Sequence, residues 1–135
     1  MADFNYNSNS IGTGSLFPIK LTENEDGTMG WYPVTGDISL IENNLRTLID
    51  YSLGQRIRQE DYGTRLWECI EEPDTKALRY MISKFLTDSI YRYEPRIIIN
   101  KIDTNTLGMG KVQIILEYSV IGTDNYNYME ITYNN

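Results

Sequence analysis

Tyr93-Glu94-Pro95-Arg96-Ile97-Ile98-Ile99 is the stretch on which the fold turns. Proline has no amide hydrogen, and its ring clashes with the preceding helical turn, so Pro95 cannot continue a helix. The residue before it, Glu94, is pushed out of helical geometry as well. Three consecutive isoleucines then suit an extended strand. The segment is therefore a fixed corner between a helix and a strand, with an acid and a base on either side of a rigid kink. On composition alone, Glu94 and Arg96 are either a local ion pair at a helix stop or a recognition point.

Working back from the corner, Leu78, Met81, Ile82, Phe85, Leu86 and Ile90 recur at helical spacing, which predicts a helix from about Asp74 to Tyr93 with this stripe buried. Working forward, the period changes to two. Val112, Ile114, Leu116, Tyr118 and Val120 alternate largely with polar residues, the pattern of a half-buried strand. Strands at Ile97–Asp103 and Tyr126–Tyr133 flank it, giving a three-stranded antiparallel meander. An earlier helix is predicted from Ile38 to Leu53, capped by Asp37 and stopped by Gly54. Ile38, Ile41, Leu45, Leu48 and Ile49 form its apolar face. Residues 15–34 read as a short hairpin turning at Asp26-Gly27, with Pro18 and Pro33 at edge positions. Between the helices, Leu66, Trp67, Cys69 and Ile70 suggest a short helical turn. The fold class is α+β: an N-terminal short hairpin and two main helices packed on a C-terminal three-stranded meander. Residues 1–13 are expected to be a flexible arm, and 14–135 a single domain. A meander leaves two edge strands, and the C-terminal one is rich in tyrosine and free of proline, a template for another chain.

The bulk composition excludes several roles. The 135 residues carry 12 basic and 19 acidic side chains, a formal net charge of −7. That balance argues against binding nucleic acid or an anionic membrane. No apolar run approaches the roughly 20 residues of a membrane helix, and residues 1–14 contain no apolar leader core. The single cysteine, Cys69, permits no intrachain disulfide and is expected to be a small buried apolar residue. With no histidine in the chain, a histidine base is excluded and few ligands remain for zinc or iron. No metal and no cofactor is expected.

Candidate chemistry is sparse. Asp103-Thr104-Asn105-Thr106-Leu107-Gly108 begins like a calcium loop, but its twelfth position is Ile114 rather than a glutamate. Glu68, Glu71, Glu72 and Asp74 cluster before the second main helix. Two well-placed acids are what a glycosidase needs, whereas an acidic cluster there also complements the helix dipole. Arg56, Arg58 and Arg65 frame Asp61-Tyr62-Gly63, either a charged surface loop or a partner-facing one in which Gly63 permits a tight turn.

The order of these features resembles the small baseplate wedge, or sheath-initiator, family of contractile phage tails and type VI secretion systems. The matching pieces are Gly14-Ser15-Leu16-Phe17-Pro18-Ile19, Leu53-Gly54-Gln55-Arg56, Tyr62-Gly63 with Leu66, Glu72-Pro73, and Tyr93-Glu94-Pro95-Arg96-Ile97. The chain departs from the family pattern at Gln55, where glutamate is common, and at Gln59-Glu60-Asp61, where a proline is common. The resemblance implies a non-enzymatic virion protein of the tail baseplate, assembled in the host cytoplasm. Its implied partners are the core bundle of the larger wedge proteins, tail sheath subunits and the tail tube, with six copies around the tube. Glu94, Pro95 and Arg96 are the implied docking corner, with Arg56, Tyr62 and Gly63 in the neighbouring loop. Tyr126, Tyr128, Ile131 and Tyr133 lie on the strand to which sheath strands would add. Phage tail and secretion system both remain open, with phage favoured for so short a chain. Some members of the family have been labelled lysozymes, so an acidic cell-wall glycosidase is the alternative.

Overall fold

The structure is a computed structural model and describes residues 11–70, 72–108 and 111–134. Among the elements of the described residues, four short strands come first: β1 (Thr13–Gly14), β2 (Leu21–Glu23), β3 (Met29–Trp31) and β4 (Val34–Thr35). Three helices follow, α1 (Ile38–Asp50), α2 (Leu66–Ile70) and α3 (Lys76–Tyr93), then β5 (Ile97–Gly108), β6 (Lys111–Val120) and β7 (Tyr126–Asn134). The last three strands form an antiparallel sheet in the order β5-β6-β7. The α+β architecture read from the sequence is the one observed.

The core lies between the inner face of this sheet and the helices. β6 is the central strand, and Val112, Ile114, Leu116, Tyr118 and Val120 are buried at every second position. Met129, Ile131 and Tyr133 of β7 continue that face. Leu40, Ile41, Leu45, Leu48 and Ile49 of α1 and Leu78, Ile82, Leu86 and Ile90 of α3 cover it. Cys69 is buried as expected, and burial pushes its thiol pKa up.

Several boundaries differ from the sequence reading. α1 ends at Asp50 rather than Leu53. Its continuation is lost to a non-local pairing: the Tyr51 carbonyl accepts from the Thr64 amide at 2.9 Å, and Ser52 bridges Thr64 in parallel. α3 starts at Lys76, capped by the Thr75 hydroxyl, which accepts from the Leu78 amide at 3.1 Å. Met81 is exposed rather than part of the α3 stripe. β5 runs on to Gly108, beyond the expected Asp103. The hairpin turns at Asp26-Gly27 as expected, but Pro18 and Pro33 lie outside its strands. Of the expected N-terminal arm, residues 1–10 lie outside the described residues. The rest is tied down: Ile11 is buried in the core, and Thr13 pairs with Thr35.

Candidate functional site: a corner and an edge

At the corner, α3 ends on Tyr93 and Glu94 is its C-cap, its amide donating to the Ile90 carbonyl at 2.7 Å. The Ile121 amide donates to the Arg96 carbonyl at 2.9 Å, which holds the start of β5 against the end of β6. The side chains then fold back on each other. Arg96 Nε and Nη2 each donate to the Glu94 carboxylate at 2.5 Å, a bidentate fork. Arg96 Nη1 donates to the Ile11 carbonyl at 2.5 Å, and Asn44 Nδ2 of α1 reaches Glu94 Oε2 at 3.4 Å.

The local ion pair read from the sequence is present, and its acid is buried rather than held out to solvent. The Glu94 side chain is 3% exposed and that of Arg96 29%. A carboxylate so deep is retained only where charge and hydrogen bonds compensate its desolvation. The hydrogen bond to Glu94 raises the Arg96 pKa, against the opposing pull of burial. The pair is thus an internal tie joining the α3 terminus, α1 and the N-terminal segment.

A cleft of about 490 Å³ opens beside this tie, lined among others by Phe17, Asn44, Arg56, Tyr62, Pro95 and Arg96. Residues from four separate sequence regions therefore meet here. The Arg56 guanidinium lies 4.5 Å from the Tyr62 ring centroid, a cation–π geometry. Tyr62 packs edge-on against Tyr93 at 5.0 Å and Tyr51 at 5.9 Å. Burial raises the Tyr62 pKa, while Arg56 pulls it down. Gly63 is required where it stands: its φ is +123°, and a Cβ would meet the Tyr51 carbonyl oxygen at 2.4 Å. Its own carbonyl accepts from Ser89 at 3.0 Å, and the Tyr93 hydroxyl donates to the Asp61 carbonyl at 2.8 Å. Gly63 itself is buried, so it shapes the loop from within.

The expected strand residues divide by face. Tyr126 and Tyr128 point outward, 64% and 65% exposed, whereas Ile131 and Tyr133 are buried in the core. Any contact of the latter two with another chain would use their backbone alone. β7 is an edge strand paired to β6 over nine consecutive positions with no shift of register. β5, the opposite edge, carries irregularities between Ile99 and Lys101 and between Thr106 and Gly108.

Two of the carboxylates before α3, Glu68 and Asp74, are held by arginines. Arg65 chelates Glu68, with Nη2 to Oε2 at 2.7 Å, and this hydrogen bond lowers the Glu68 pKa. Arg79 likewise holds Asp74, whose carboxyl is lowered to about 2. Glu68 and Glu72 do line a second cleft, but a general acid needs a raised pKa, and the Glu68 shift runs the other way. Glu71 lies outside the described residues. No cluster able to hold a metal exists among the described residues, and no described helix is long and apolar enough to cross a membrane. Two partners of the corner were not singled out from sequence, Ile11 and Asn44. The lone isoleucine in a polar segment was the available signal for the first.

Solved baseplate proteins share this fold. A chain of the post-contraction pyocin R2 baseplate superposes with a TM-score of 0.62 at 18% identity, covering 76% of this chain and 100% of its own. A chain of the anti-feeding prophage baseplate gives 0.60 at 23%, covering 90% and 84%. A putative tail lysozyme from Geobacter sulfurreducens gives 0.64 at 18%, covering 70% and 86%. Baseplate protein W of Escherichia phage P2 is 25% identical over 80 residues, 59% of this chain and 70% of its own length. Residues 37–125 match the family described as baseplate wedge protein gp25, and the chain belongs to that family. It is a structural protein of the tail baseplate, assembled there with other baseplate components.

Proposed function

We propose that this chain is a non-enzymatic assembly protein that docks on the larger wedge proteins and seeds the contractile sheath along β7. The observation that carries the reading is the contrast between the two sheet edges. A flat edge without bulge or proline offers a row of backbone donors and acceptors to an incoming strand, and bulges discourage such pairing. β7 is of the first kind and β5 of the second. The outward Tyr126 and Tyr128 add apolar area beside the edge.

Docking uses the cleft beside the corner. Its acidic floor is neutralised internally, so what it offers a helical bundle is the Arg56–Tyr62 stack, Phe17 and the exposed ring of Pro95. Ile57, next to Arg56 in the chain, is 89% exposed, as a contact residue awaiting a partner would be. In the assembled tail, six copies surround the tube.

Adjacent strand residues direct their amides to opposite sides. Of Asn127→Pro and Tyr128→Pro, one therefore removes an amide bonded to β6 and the other a free one. The free-edge variant is expected to fold, to enter baseplates, and to nucleate sheath at about one tenth of normal yield or less, a loss of roughly 1.4 kcal/mol or more. Normal sheath yield from that folded variant would overturn the assignment. Incubation with peptidoglycan tests the enzymatic alternative, and measurable turnover would contradict the non-enzymatic reading.

A further inference from the structure

The N-terminal hairpin is the part of the molecule that neither the family match nor the sheath reading uses. It precedes residues 37–125, where the match lies. β2 and β3 pair Leu21 with Trp31 and Glu23 with Met29. Alternate residues share a face, so Leu21, Trp31, Met29 and Glu23 form one surface. Leu21 is 57% exposed, and Met29 and Trp31 are each 63% exposed. An isolated two-stranded hairpin is marginal in water, yet this one is carefully built. Its stalk is fastened by the Thr13–Thr35 hydroxyl contact at 2.8 Å and by Leu16 and Val34 packing on the core. Its tip is locked, with the Asp26 carboxylate accepting from the Thr28 amide at 3.0 Å and hydroxyl at 2.6 Å.

A hairpin that presents three large apolar side chains to solvent is an interaction surface. Its charge selects the occupant. Glu23 lies on this face and Glu25 and Asp26 follow in the turn, against Lys20 alone before β2. A second copy of this chain would bring those carboxylates together, and like charges at a contact are costly. An anionic lipid surface is disfavoured for the same reason. We propose that the hairpin face docks into an apolar groove with a lysine- or arginine-rich rim on a different protein of the same baseplate.

The test places a photo-crosslinking benzoylphenylalanine at Trp31 in assembled tails and maps the product by mass spectrometry. The expected product joins Trp31 to a different baseplate protein, in a segment containing lysine or arginine. No product, a product with a second copy of this chain, or one with a segment lacking basic residues overturns the proposal. In parallel, Met29→Ser combined with Trp31→Ser should leave the isolated protein's melting temperature unchanged and lower its incorporation into baseplates about tenfold or more. Normal incorporation overturns it. Should this double variant fail to fold, the crosslink decides, because it keeps an aromatic side chain in place. Sheath nucleation along β7 is not needed for either outcome.

Discussion

Two arginine–glutamate forks in this molecule have the same chemistry and opposite settings. Arg65 grips Glu68 on the surface, the two side chains 52% and 59% exposed. Arg96 grips Glu94 beneath it, at 29% and 3%. Water competes for the first pair at little cost, so such pairs contribute about 0–1 kcal/mol in general. In the second the Glu94 carboxylate has given up its water, and removing Arg96 would strand it. Both forks join residues two or three apart in the chain; burial makes one ornament and the other architecture. The buried fork also ties the chain's ends of reach together, since Arg96 bonds Ile11 across 85 residues and Asn44 bonds Glu94 across 50.

Arg96→Ala should have the largest effect, about 3–5 kcal/mol of destabilisation by chemical denaturation, because it leaves the buried Glu94 carboxylate without its partner. A loss under about 1 kcal/mol would place Glu94 with the surface pairs. Gly63→Ala attacks the same region through the backbone. At φ +123°, strain alone costs about 1–3 kcal/mol, and the clash with the Tyr51 carbonyl adds to it. A melting temperature equal to that of the parent would show that the Tyr51–Thr64 pairing is not rigid.

Acid sensitivity is the next smaller effect. Asp74 titrates at about 2 in the fold against an ordinary 3.8. The unfolded chain therefore takes up the proton first. The stabilisation is present above 3.8 and is lost as pH falls toward 2. Asp74→Asn should narrow the difference in melting temperature between neutral and strongly acidic buffer, and an unchanged difference would rule out its pairing with Arg79 in solution. The smallest effect belongs to Glu68→Gln, whose melting temperature should be indistinguishable from that of the parent at neutral pH. A clear loss there would erase the distinction between the two forks.

What the sequence made legible follows the range of the forces involved. Pro95 and the isoleucines after it act locally, so the corner and the change of period were readable. Alternation along β6 and the Asp37 cap were readable for the same reason. The end of α1 was not, because Thr64 sets it from a distance. Met81 fits the helical stripe, yet it lies on an exposed part of α3. At the site, Glu94, Arg96, Arg56 and Tyr62 were all named, but not that they share one cleft, nor that the acid lies inside. Ile131 and Tyr133 were placed on the right strand, and their inward face follows from period two once Met129 is counted with the core.

A double-mutant cycle on the isolated protein, Glu94→Gln and Arg96→Gln singly and together, tests the internal tie most directly. The expected coupling free energy by chemical denaturation is about 1.5–3 kcal/mol, with the surface pair Arg65 and Glu68 as the control. A coupling near zero would mean that the two charges are not engaged with each other in the free protein, and that the corner holds them out for a partner instead.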